Sequence, residues 1–232
     1  MGDILVVEPG AQPVGSDAIR LIPAIEAVPV EIAGSTGYEA IKRAVDVGVS
    51  LIALVLLVPV LGLIALLIKV TSPGPVIFRQ RRPGLNGAPF RIYKFRTMVP
   101  DAEAKLGEVH DVNNVVDPLI RVENDPRVTP LGRVLRKTSL DELPQLINVL
   151  RGEMSLVGPR PISRPIVDPR NTLRLKVLPG MTGLWQISGR KNGDTDYMLT
   201  KDMEYLQTRS LQTDARIVLG TISAVLKANG AR

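Results

Sequence analysis

Val47–Ile68 reads VGVSLIALVLLVPVLGLIALLI, twenty-two residues without a charge. At ~1.5 Å per helical residue it would extend ~33 Å, against a hydrocarbon core of about 30 Å. Membrane contact is therefore expected, and two geometries meet it. A single helix could span the bilayer, since proline-kinked spanning helices are common. Pro59, however, sits near the centre, where it removes a backbone hydrogen bond and crowds the carbonyl four residues back. Gly62 loosens the same region. Basic residues flank both ends: Lys42 and Arg43 before, Lys69, Arg79, Arg81 and Arg82 after. A spanning helix usually has one basic side. A helix that dips in, breaks at Val58-Pro59 and returns would leave both basic ends on one face. The residues alone leave spanning and re-entrant helices equally open.

Outward from this segment the charge is uneven. Of 29 Lys+Arg and 23 Asp+Glu, residues 1–46 hold three basic and seven acidic, leaving 26 and 16 for the rest. A basic body calls for an anionic partner: nucleic acid, an anionic membrane surface or phosphorylated substrates. Aromatics at 3% leave few stacking platforms, which disfavours nucleic acid. Zero Cys excludes disulfides, Cys-ligated zinc and a thiol nucleophile, and one His (His110) excludes a His-rich metal site. No dinucleotide or P-loop glycine pattern is present. The chemistry is left to carboxylates, Lys/Arg, hydroxyls and a hard cation.

Residues 1–37 are broken by Pro9, Pro13, Pro23 and Pro29 with Gly10, Gly15, Gly34 and Gly37, and are expected to form a flexible leader. After the apolar segment, Val76-Ile77-Phe78 and Phe90–Phe95 flank Gly84-Leu85-Asn86-Gly87, a hairpin pattern. Residues 99–130 are polar, with a helix expected over 100–108. Residues 131–151 are helical in pattern, 152–194 are extended and Gly/Pro-punctuated, and Tyr197–Leu206 and Asp214–Ala228 predict two helices. The whole is a helix-rich α/β (α+β) fold: one membrane-associated domain, 38–232, with a small hairpin.

Asp141 and Glu142 form a carboxylate pair before Leu143, Leu146, Ile147 and Leu150, which repeat at i, i+3, i+4 and i+7 and predict a buried helical stripe. Ser139 with Glu142 makes a capping-box pattern. The plain reading is complementation of a helix dipole. The chemical one is a pair that holds a divalent cation, or a carboxylate that attacks a phosphoryl centre. Arg133, Arg136 and Lys137 lie just upstream, as a solvated face or as phosphate neutralisers. In Gly158-Pro159-Arg160-Pro161 the prolines limit backbone freedom around a guanidinium suited to phosphate. On a strand, Lys94 and Arg96 share one face with Phe95 opposite. Pro179–Arg190 carries glycines for tight turns, the lone Trp185, and Arg190 as another candidate phosphate ligand. Asp194-Thr195-Asp196 spells a metal-binding D-x-D but equally a turn, the preferred reading.

Together these stretches resemble the bacterial sugar transferases, the monotopic phosphoglycosyl transferases that start exopolysaccharide, capsule and O-antigen assembly. The resemblance runs from about Tyr38 onward. It is carried in order by KRAVD, the Pro-broken apolar segment, SPGPVIFRQRRPG, IYKFRTM, DPRVTPLGRVLRKTSLDELPQLINVLRGEMSLVGPRP, PGMTGLWQISGR and DMEYL. It implies a re-entrant helix and an α/β body on the cytoplasmic face of the bacterial inner membrane. It implies transfer of a sugar-1-phosphate from a UDP-sugar to undecaprenyl phosphate with release of UMP, glucose or galactose being favoured as the sugar. It assigns Asp141 as nucleophile, Glu142 as its dyad partner and Mg2+ to the dyad. Lys94, Arg96, Arg136, Arg160 and Arg190 become candidate phosphate contacts, and no nucleic acid is involved. One departure is Val58-Pro59, where many members have Ser-Pro. Two rivals stand beside this: a D-x-D glycosyltransferase that releases UDP through Asp194 and Asp196, and a basic membrane scaffold without turnover.

Overall fold

The structure, a computed structural model, describes residues 31–102, 125–162, 168–189 and 194–226. Its dominant element is α1, Thr36–Thr71. Ser35 caps it, its hydroxyl accepting from the Tyr38 amide at 3.2 Å. Tyr38, Lys42, Asp46 and Ser50 recur every four residues and are buried, whereas Leu51–Leu63 is mostly bare. Leu56 is 72% exposed. Burial resumes at Ile64 and Ile68. Both limbs of α1 therefore pack on the body while the apolar middle does not.

The break expected at Val58-Pro59 is not present as an interruption, because helix runs through Pro59. Proline forfeits one ladder bond and bends a helix, and the turns on either side keep theirs.

The first limb is held by charged side chains. Lys42 Nζ lies 2.8 Å from Asp214, which also accepts from the hydroxyls of Tyr38 and Tyr205, both at 2.9 Å. Arg43 donates to the carbonyls of Val149 and Leu150 at 2.6 and 2.9 Å. Asp46 accepts from the Leu156 amide. Lys42 and Arg43, read in the sequence as a basic membrane flank, thus bolt α1 to the body.

The hairpin forms as expected. β1 (Ile77–Pro83) and β2 (Pro89–Phe95) pair antiparallel from Ile77–Phe95 to Pro83–Pro89. Asn86 takes the left-handed conformation, φ 53°, that its turn requires. Phe95 packs with Ile64, Ile68 and Leu135, joining β2 to the second limb of α1.

The helix expected over 131–151 is instead α2 (Pro130–Lys137), a one-turn 3-10 segment (Leu140–Glu142) and α3 (Gln145–Leu150). Ser139, just past the α2 cap, has φ 57°, which stops α2 there. Glycine is the usual residue at that place, and for serine the conformation is strained. The capping box fails for the same reason: Ser139 makes no side-chain cap. The stripe is also displaced. Ile147 is 40% exposed, while Gln145, Leu146, Asn148 and Val149 are buried. Asn148 sits where an aliphatic would, because it bonds β2 through the Tyr93 amide and Arg91 carbonyl.

Beyond α3, β3 (Ser155–Val157) pairs parallel with β4 (Gly180–Thr182), a contact too short to be legible in the sequence. α4 (Pro169–Arg174) and α5 (Leu184–Ile187) bracket β4. α6 (Thr195–Thr208) and α7 (Leu211–Leu226) close the body, near the bounds expected. Trp185 is core, among Ile162, Met198 and Leu199. The leader's end is not loose: Ile32 packs beside Val177, Met203 and Leu206, and the Ala33 amide bonds the Leu206 carbonyl. The rest of the expected leader, residues 1–30, lies outside the described residues. So do most of the helix expected over 100–108, and Arg190.

Candidate active site at the Asp141–Glu142 turn

The strained Ser139 turn sets two consecutive carboxylates against β2. Glu142 Oε1 accepts from Lys94 Nζ at 3.0 Å and from Arg160 Nη2 at 3.2 Å. Its Oε2 accepts from Gln145 Nε2 at 3.2 Å. Asp141 is buried. Lys94 and Arg136 both lie within electrostatic reach of it. Arg136 is oriented by Thr97, whose hydroxyl accepts from Nε at 2.9 Å.

Thr97 is in place because α2 approaches it without a side chain at Gly132. A Cβ there would stand 2.1 Å from the Thr97 carbonyl oxygen.

A narrow cleft opens on Glu142, lined by Arg82, Lys94, Arg160 and Gln145 among others, with about 10 Å³ of free space. Three cations against one carboxylate leave it electropositive. Burial pushes the Lys94 ammonium below its ordinary pKa, with Glu142 the main group holding it up. Burial, then the Arg160 charge, pull Arg82 down to about 10. Charges desolvated in this way gain most from an anionic ligand.

Gln145 was not picked out from the sequence, and Arg82 was read there only as part of the basic flank after the apolar segment. Arg82 lies within FRQRRPG, and strand periodicity could have flagged it: it sits in β1 opposite Phe90 in β2, two positions from Ile92 and four from Lys94.

Arg96 lies elsewhere. It is buried and donates from Nη2 to the Ser72 carbonyl at 2.7 Å, just beyond the end of α1. Gly74 (φ 109°) makes room for it: a Cβ at Gly74 would stand 2.4 Å from Nη1. The D-x-D residues are likewise engaged structurally. Asp194 caps α6 by accepting from the Tyr197 amide at 2.8 Å, and Asp196 pairs with Arg170 at 2.7 Å.

Among the described residues no group of three or more His, Cys, Asp or Glu could cage a metal. The pair Asp141–Glu142 still suits Mg2+, which is commonly bound by one or two carboxylates plus substrate phosphates and water.

The buried Asp141 and the half-buried Glu142, ringed by cations on a body fastened to a long apolar helix, form a site suited to anionic groups. The bacterial sugar transferase family matches residues 37–228, and the chain belongs to that family. It is an enzyme.

Three relatives illustrate the likeness. The exopolysaccharide production protein ExoY of Rhizobium meliloti (strain 1021) is 43% identical over 82% of this chain and 87% of its own. A UDP-glucose:undecaprenyl-phosphate glucose-1-phosphate transferase of Caulobacter vibrioides is 43% identical over 82% of this chain and 71% of its own. An undecaprenyl-phosphate galactose phosphotransferase of Salmonella typhimurium is 43% identical over 82% of this chain but only 41% of its own.

Proposed function

We propose that this enzyme transfers a sugar-1-phosphate, glucose or galactose favoured, from a UDP-sugar to undecaprenyl phosphate, as an early membrane step of exopolysaccharide synthesis. The observation that carries this reading is the Asp141–Glu142 pair within reach of Lys94, Arg136 and Arg160. An Asp141 oxygen attacks the phosphorus that bears the sugar. The bridging P–O bond of the diphosphate breaks, and UMP leaves with the bridging oxygen. An oxygen of undecaprenyl phosphate then attacks the aspartyl phosphosugar. Its P–O bond to Asp141 breaks, which frees the carboxylate and forms the lipid diphosphosugar. Two displacements through one nucleophile give ping-pong kinetics.

Lys94 and Arg160 neutralise the incoming diphosphate, since an anionic nucleophile is otherwise repelled by it. Arg136 sets a positive charge within electrostatic reach of Asp141. Asp141 and Glu142 would hold Mg2+, which when bound screens the diphosphate and the leaving UMP. The bared middle of α1, between two limbs packed on the same body, supports a dip into one leaflet of the inner membrane with the body on the cytoplasmic side. That depth lets the lipid present its phosphate from the headgroup layer.

The test is nucleotide release by the membrane-bound protein with Mg2+, undecaprenyl phosphate and either UDP-glucose or UDP-galactose. UMP from the native protein and none above background from Asp141→Asn is the expected result. UDP in its place would overturn the reading.

A further inference from the structure

Arg160 reaches Glu142 from a loop whose backbone is fastened at four successive residues. The Gly158 amide donates to the Thr182 carbonyl at 2.9 Å, and the Pro159 carbonyl accepts from the Gly180 amide at 2.9 Å. The Arg160 carbonyl accepts from Arg174 Nη2 at 2.6 Å. The Pro161 carbonyl accepts from Arg82 Nη1.

Two guanidiniums from different elements, β1 and α4, thus hold consecutive carbonyls of the residue that contacts the dyad and of its neighbour. Each is itself aimed. Arg82 Nε and Nη2 bond Gln80 Oε1 at 3.0 and 2.7 Å. Arg174 lies 2.7 Å from Asp202 of α6, with the two side chains 2% and 3% exposed.

The Arg174–Asp202 pair is costly as a stabiliser. Arg174 Nε and Nη1 are buried and find no hydrogen-bond partner among the described residues. A buried ion pair with unsatisfied donors recovers little of its desolvation cost, and apolar side chains of similar volume would often do as well or better. What an apolar pair could not do is deliver a donor to the Arg160 carbonyl. That need accounts for a buried charge at this place.

We propose that Arg82 and Arg174, the latter held by Asp202, are positioning residues that lock the Arg160–Pro161 backbone and so fix the Arg160 guanidinium on the dyad. The catalytic consequence rests on the transferase reading; the clamp itself does not. Fixing a charged contact in advance removes an ordering cost from the reacting complex, and a misplacement of ~1 Å can cost about 100-fold in rate.

The experiment is a double-mutant cycle on the full-length, membrane-bound protein. Arg174→Lys and Arg82→Lys each keep the positive charge but lose the planar fork. Each is expected to lower kcat for UMP release about 10- to 100-fold with little change in melting temperature. In an Arg160→Lys background the same changes are expected to lower residual turnover less than about 2-fold, because there is no longer an Arg160 guanidinium to place. Equal losses in both backgrounds would overturn the proposal.

Deuterium exchange over 155–162 supplies a readout independent of turnover. Uptake is expected to rise in Arg174→Lys and Arg82→Lys relative to the native protein, and unchanged uptake would also overturn the clamp. Native protein that releases no UMP, alongside raised uptake in the variants, would remove the transferase reading and leave the clamp standing.

Discussion

Replacing Glu142 by Gln removes one charge from the centre of the cleft and changes no volume. Oε1 currently takes two charge-assisted bonds, from Lys94 and Arg160, and Oε2 takes one from Gln145. The amide can offer its oxygen to the cations, but its NH2 then meets Gln145 Nε2, donor against donor. Charge-assisted bonds exceed neutral ones by roughly 1 kcal/mol each. The three charged side chains are 16–20% exposed, so solvent screens part of this. A loss of about 2 kcal/mol follows, a fall of roughly 4–8 °C in melting temperature for a chain of this size.

The pH dependence is the sharper test. Burial lowers Lys94, and Glu142 is the largest influence opposing it. In Glu142→Gln the lysine falls further. A lysine whose folded pKa lies below its unfolded one sheds its proton on folding, so stability rises with pH between the two values. That window opens at lower pH in the variant. The deficit against native protein should therefore narrow as pH rises towards the ~10.4 of an unfolded lysine. Melting curves in detergent over that range check it. A deficit absent at pH 7, or one that holds constant with pH, would refute the electrostatic account of the cleft.

Other expectations follow from single contacts. Burial raises Asp202 to about 6, above the ~3.9 of an unfolded aspartate. Folding therefore takes up a proton between about pH 4 and 6, and native stability relative to Asp202→Asn should fall as pH rises through that window and be level above it. A difference flat from pH 4 to 7, measured by melting, would contradict this. Gly132→Ala would press a Cβ against the Thr97 carbonyl at 2.1 Å and should cost about 3 kcal/mol or more, read as a lowered melting temperature with Arg136 displaced. Gly62→Ala meets nothing within 4 Å among the described residues beyond its own helix backbone and should leave melting unchanged or slightly raised.

What was legible in the sequence depended on periodicity and on paired residue types. The apolar run, the hairpin and the two closing helices show because each repeats over many residues. Asp141-Glu142, Lys94, Arg136 and Arg160 show because charged groups cluster near prolines and at strand spacing, and all five carry the site's geometry. Helical spacing over 131–151 concealed the Ser139 turn, because a left-handed serine has no composition signature. Arg96 shares strand parity with Lys94, yet β2 ends at Phe95, so it turns to the Ser72 carbonyl instead. Arg82 and Arg174 serve through carbonyls of a distant loop, a relation that exists only after folding. Lys42 and Arg43 looked like a membrane margin because their partners lie more than a hundred residues away, as does that of Asp46.

Those three residues decide how this enzyme can be handled. A truncation starting at Ser72 would not yield a soluble catalytic fragment. Among the described residues Asp214 would keep only the Tyr205 hydroxyl as a side-chain partner, the Leu156 amide would lose Asp46, and Phe95 and Leu135 would be bared where Ile64 and Ile68 cover them. The apolar helix is also an interior wall, and purification has to carry it along.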